Sequence, residues 1–177
     1  MTRLISLQLQ SLGIQLAMSL QRSIVRVAAA LIESRTIRHC QAYRFVILAD
    51  SGPAAISPAD ARIFQYPGPL EQLALFLSDA LREFNKETKP FIIANAAHFT
   101  DENISPQSGN ANDDDGGVCL VLGVAEDPRH RNKLGLAFQR CAEQTGSRVR
   151  HDRFDSSIIE VRREDFPDFM ENLKMYS

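Results

Sequence analysis

The first thirty-two residues contain no aspartate or glutamate, and Glu33 is the first acid in the chain. Their sequence, MTRLISLQLQSLGIQLAMSLQRSIVRVAAALI, carries Arg3, Arg22 and Arg26, several serines, and glutamines at positions 8, 10, 15 and 21. A secretory signal needs one compact apolar run behind a basic end, and the glutamines interrupt any such run. A membrane-spanning helix needs about 20 predominantly apolar residues, and these glutamines with two arginines make a span costly. Export and membrane insertion are therefore set aside. Two readings remain. An organellar transit peptide is amphipathic, rich in Arg and Ser and poor in acids, which would place the protein in the mitochondrial matrix. The preferred reading is a long helix with Leu9, Leu12, Leu16, Leu20, Ile24, Val27 and Leu31 along one stripe, packed on the rest of the chain or on a partner. Gly13 is the weak point of that helix.

Cysteine is scarce too. Cys40, Cys119 and Cys141 are too few and too far apart for a disulfide framework, which favours a reducing, cytoplasmic compartment. No CxxC, HExxH or HxH spacing links them to His39, His98, His130 or His151, so a zinc site has no support. The adjacent His39 and Cys40 read as packing. Long biased tracts and internal repeats are absent, and a 44% apolar content over 177 residues is ample for one core.

Net charge is only −2, which argues against a surface adapted throughout to polyanions. The charge is nevertheless laid down in blocks. Residues 1–44 hold six basic residues and one acid, residues 45–128 four against thirteen, and residues 129–153 seven against two. Such blocks either place opposite signs on different faces or bring them together within the fold, and both outcomes fit the sequence.

The remaining chain reads as alternating strands and helices. Tyr43 to Ala49 is a buried strand closed by Asp50-Ser51-Gly52-Pro53. Arg62 to Tyr66 is expected as a short second strand, ended by Pro67-Gly68-Pro69. Leu70, Leu73, Leu77, Leu81 and Phe84 predict a helix starting near Pro69. Pro90 to Ala97 is the next strand, Thr100 to Gly117 a polar loop, and Val118 to Ala125 another buried strand. A helix follows from about Arg131 to Gln144, with Gly146 as its C-cap. Strand structure between Arg148 and Arg163, strongest at Ile158 to Val161, leads into a last helix carrying Phe166, Phe169, Met170 and Leu173, with Asp165 and Pro167 at its start. The order predicts an α+β fold, a ferredoxin-like split βαβ sandwich with extra N-terminal and C-terminal helices. A three-layer α/β sheet is the alternative. Residues 1–38 are expected as an N-terminal amphipathic helical segment and residues 39–177 as a single α/β domain.

Candidate chemistry concentrates in Gly123 to Ala137, GVAEDPRHRNKLGLA. A strand runs through a basic turn into a helix, so Arg129, Arg131, Lys133 and the backbone at Gly135 form a candidate anion-binding loop. This segment resembles the acetyl-CoA-binding loop of the GNAT family of N-acyltransferases, whose signature is Arg/Gln-x-x-Gly-x-Gly/Ala between a strand and a helix. With Gly135 and Ala137 in the last two motif positions, Asn132 takes the first and Arg131 lies one residue out. The resemblance covers Val118 to Ala142 and implies acetyl-CoA as cofactor. Asp113-Asp114-Asp115-Gly116-Gly117 lacks the spacing of an EF-hand, because Ala111 falls on the first ligand position. It reads as a solvated acidic loop. Arg148 to Arg153, with Phe154 beside it, reads as a charged sheet edge rather than a nucleic-acid contact. No GxSxG elbow, phosphate-binding loop or GxGxxG occurs. The sequence thus points to a non-enzymatic interaction or regulatory protein with no cofactor and with a protein partner or a second copy as its target. A CoA-dependent acyltransferase is the alternative.

Overall fold

The computed structural model describes residues 2–85, 89–97, 117–126, 132–152 and 155–175, with side chains from Gln8 onward apart from that of Asn85. Helix α1 spans Thr2–Glu33, and Gly13 does not interrupt it. Strands β1 (Arg38–His39) and β2 (Arg44–Leu48) form an antiparallel pair at one sheet edge. Two helices follow, α2 (Pro58–Ile63) and α3 (Pro67–Asn85). Then come β3 (Phe91–Asn95), β4 (Val118–Val124), α4 (Leu134–Thr145), β5 (Val149–His151), β6 (Ile158–Arg162) and α5 (Phe166–Met175).

The six strands lie in the order β1-β2-β3-β4-β6-β5. β2 and β3 are parallel neighbours, with Val46 opposite Ile93, and α2 and α3 make the crossover between them. All other neighbours are antiparallel. Because β4 and β5 both run antiparallel to β6, they are parallel to each other with β6 inserted between them. The unit β4-α4-β5 is therefore a split βαβ.

Alternation along the strands sends side chains to two separate cores. On one face Val46, Leu48, Phe91, Ile93, Leu120 and Leu122 pack under α3 and the C-terminal half of α1. On the other, Phe45, Ile92, Ala94, Cys119, Val121, Ile159 and Val161 pack under α4 and α5. The α+β class is as the sequence predicts. The layering is that of the three-layer alternative, since the two main helices sit on opposite faces rather than together on one. The physical reason lies in the strands themselves: β2, β3 and β4 are apolar on both sides and need cover on both.

One element differs in type. The expected strand from Arg62 to Tyr66 is replaced by α2 and its C-terminal turn. The Ser57 side chain accepts a hydrogen bond from the Asp60 N–H (3.1 Å), and Pro58 occupies the first turn, so the helix starts ahead of the aromatic residues. Phe64, fully buried, is then its C-cap residue. Gly146, by contrast, ends α4 in the left-handed conformation (φ 68°), as its position predicts.

Candidate interaction surfaces

Helix α1 changes character along its length. Ile24, Val27, Ala28 and Leu31 are buried against α3, and Leu20 is partly covered. The anchored part is also tied by charge. Arg26 donates through two guanidinium nitrogens to the Asp60 carboxylate, and Ser57 Oγ donates to the same group at 2.7 Å. Burial pushes the Asp60 carboxyl up, but hydrogen bonds involving Arg26, Ser57 and Ser23 together with the Arg26 charge outweigh it, and the net direction is down.

Ahead of Leu20 the packing stops. Every residue from Gln8 to Ser19 is exposed, including Leu9 (64%), Leu12 (52%) and Leu16 (63%). These three continue the stripe that Ile24, Val27 and Leu31 bury further on, so the predicted periodicity is present but only its second half meets the domain. At 100° per residue, exposed Ile14, Met18 and Val25 fall on the opposite side of the helix. Residues 8–19 therefore make an arm about 18 Å long with two apolar sides. A helix that is apolar on more than one side is built to be enclosed.

The candidate anion loop is only partly within the described residues, since Arg129 and Arg131 fall outside them. Lys133 is exposed at the start of α4, and its side chain makes no capping bond. Asn132 does the capping instead: its Oδ1 accepts from the Leu134 N–H at 3.1 Å, and its Nδ2 donates to the Gly123 carbonyl at 2.9 Å. The glycines serve packing. A Cβ on Gly135 would lie 2.3 Å from Ser156 Oγ and 2.8 Å from the Ser156 carbonyl oxygen, and one on Gly123 would lie 2.6 Å from Leu134 Cδ1. Close approach of helix to turn and of strand to helix thus accounts for both residues without a ligand.

The cysteines are packing groups as well. Burial raises the Cys119 thiol, against the opposing Arg163 charge, and pushes the Cys141 thiol up to about 11. Cys141 Sγ contacts the Phe169 carbonyl oxygen at 3.1 Å, joining α4 to α5. Cys40 is partly exposed beside the same core, and His39 is exposed. Among the described residues no group of three or more His, Cys, Asp or Glu could hold a metal ion, and no helix is long and apolar enough to cross a membrane. His98, His130, the acidic run Asp113 to Asp115 and the pair Arg153-Phe154 lie outside the described residues.

A family model described as CDC45 matches residues 3–176. The chain belongs to the CDC45 family. It is 32% identical over 180 residues to cell division control protein 45 of Saccharomyces cerevisiae, covering 95% of this chain and 24% of that protein. To the cell division control protein 45 homolog of Schizosaccharomyces pombe it is 31% identical over 166 residues, covering 91% of this chain and 24% of that protein. The fold is shared with the crystal structure of CDC45 from Entamoeba histolytica, with a TM-score of 0.60 at 20% identity over 89% of this chain and 27% of that one. The chain thus spans about a quarter of the length of the CDC45 proteins it matches. The acyltransferase alternative gains no support from these relatives.

Proposed function

We propose that this chain is a non-enzymatic interaction module of the CDC45 family that works in the initiation of DNA replication by docking its α1 arm into a protein partner. Family membership supports the replication role, and the relatives are cell division control proteins. The observation that carries docking is the arm itself, with Leu9, Leu12 and Leu16 on one side and Ile14 and Met18 on the other, all exposed. Residues 8–19 carry no charge, and Arg22 follows at their root. The surface that fits it is an apolar, helix-binding groove with a neutral or acidic rim. Replication machinery binds DNA, so the sequence-based expectation against nucleic acid has no support from the family. A replication role also favours a nuclear address over the cytoplasmic and matrix addresses that composition suggested.

A photo-crosslinking residue at Leu12, placed in the folded protein in replicating cells, should trap a protein of the replication machinery. The same residue at exposed Glu71 on α3 should trap far less. Equal yields at the two positions, or no adduct at Leu12, would overturn the proposal.

A further inference from the structure

At the edge opposite β1, strand β5 has no neighbour beyond it among the described residues. Its hydrogen-bond register fixes which groups face outward. Arg162 N–H donates to the Arg148 carbonyl at 3.1 Å, and Asp152 N–H donates to the Ile158 carbonyl at 3.0 Å. Arg148, Arg150 and Asp152 therefore point their main-chain groups at β6. By alternation, Val149 and His151 aim theirs away from the sheet. Two N–H donors and two carbonyl acceptors thus line the open edge at a two-residue spacing.

The two sides of this edge differ in chemistry. On the α4 side, Val149 and His151 face Leu136, Gln139 and Ala142 across an open groove of about 1020 Å³, and Leu136 is 54% exposed there. On the other side, a second groove of about 660 Å³ runs past Val118, Arg150, Glu160 and Arg162. Arg148 lines this groove too and is paired with Glu164 and Asp165, while Arg150 is 85% exposed and 3.6 Å from Glu160, so the lining carries three arginines against one carboxylate. We propose that β5 is a strand-addition site for an extended protein segment that alternates apolar and acidic residues, its apolar side chains entering the α4 groove and its carboxylates meeting Arg150 and Arg162. This surface is independent of the α1 arm and goes beyond the docking role argued above.

The probe is a capped ten-residue peptide alternating valine and glutamate, added to the full chain, with amide exchange read at Val149 and His151. Saturating peptide should slow exchange at both amides more than tenfold, and the valine-lysine counterpart should not. Arg150→Glu should weaken the glutamate peptide at least tenfold and strengthen the lysine peptide, a reversal that misfolding cannot produce. His151→Pro removes one outward N–H and no bond to β6, so it should abolish binding with an unchanged melting temperature. If that variant does not fold, the Arg150→Glu reversal decides. Failure of both peptides to protect the edge overturns the proposal, as does equal protection by both. Protection by a single-stranded oligonucleotide in place of the peptide would overturn it too, by assigning the arginines to nucleic acid. Serine at Leu9, Leu12 and Leu16 should leave peptide binding untouched, which separates this site from the arm.

Discussion

The two ends of α1 have much the same apolar content and opposite fates. From Leu20 to Leu31 the stripe is covered by α3 and held by the Arg26–Asp60 pair, whereas from Gln8 to Ser19 nothing in the described chain covers it. Periodicity therefore states that a helix has a face to bury, and leaves open how far the covering surface extends. Intrinsic propensity cannot explain the exposed end either. A helical arm of this length is marginal alone in water, and here it is seeded by the anchored turns behind it. The difference assigns stability to the anchored end, and the proposed docking role rests on the exposed one.

The sharpest break of this comparison is a pair of truncations. Leu31→Ala, at 2% exposure in the core, should cost about 2–5 kcal/mol in urea unfolding, because it removes buried methylenes and leaves a cavity. Leu12→Ala should change the same quantity by less than about 0.5 kcal/mol. Similar losses at both sites would mean that the arm belongs to the folding unit.

A smaller effect tests the charged tie. The Asp60 carboxyl is held below its ordinary value in the folded protein, so its contribution is complete above the unfolded-state value of about 3.9 and fades as pH falls toward the folded one. Asp60→Asn should therefore lower stability at neutral pH and flatten the loss of stability on acidification below about pH 4. A variant that melts with the wild-type acid slope would show that the pair does not anchor α1.

The strands at 44–48, 91–95, 118–124 and 158–162 were legible from short runs of β-branched and aromatic residues bounded by turn residues. So were the long helices, from the spacing of Leu70, Leu73 and Leu77 and of Leu134, Phe138 and Cys141. Helix α2 was not, because Ile63, Phe64 and Tyr66 look like strand residues until Ser57 and Pro58 are recognised as a helix start. Which face α3 and α4 would cover was equally hidden, since strands apolar on both sides offer no preference in sequence. The recognition features were harder still. Leu12 and Leu31 have the same side chain on the same stripe, and only tertiary packing tells them apart. The open edge at Val149 and His151 is a matter of register, which neighbouring strands decide and local composition does not. The basic run from Arg148 to Arg153 signalled an edge, but not which main-chain groups it leaves outward.

The smallest expected change in global stability comes from the arm's own weak point. Gly13 has nothing within 4 Å of the position a side chain would take, so substitution there meets no steric obstacle from the rest of the fold. Gly13→Pro should instead break the helix from within, at a local cost of about 3 kcal/mol relative to a good helix former, by removing a hydrogen bond and clashing with the preceding turn. If the two ends of α1 are energetically separate, far-UV circular dichroism should lose the signal of the residues ahead of the break while the unfolding midpoint of the domain stays where it was. Partner crosslinking through Leu12 should fall with the helix. A midpoint that drops together with the helical signal would couple the arm to the core through the helix itself, and the division of labour along α1 would then be one of degree.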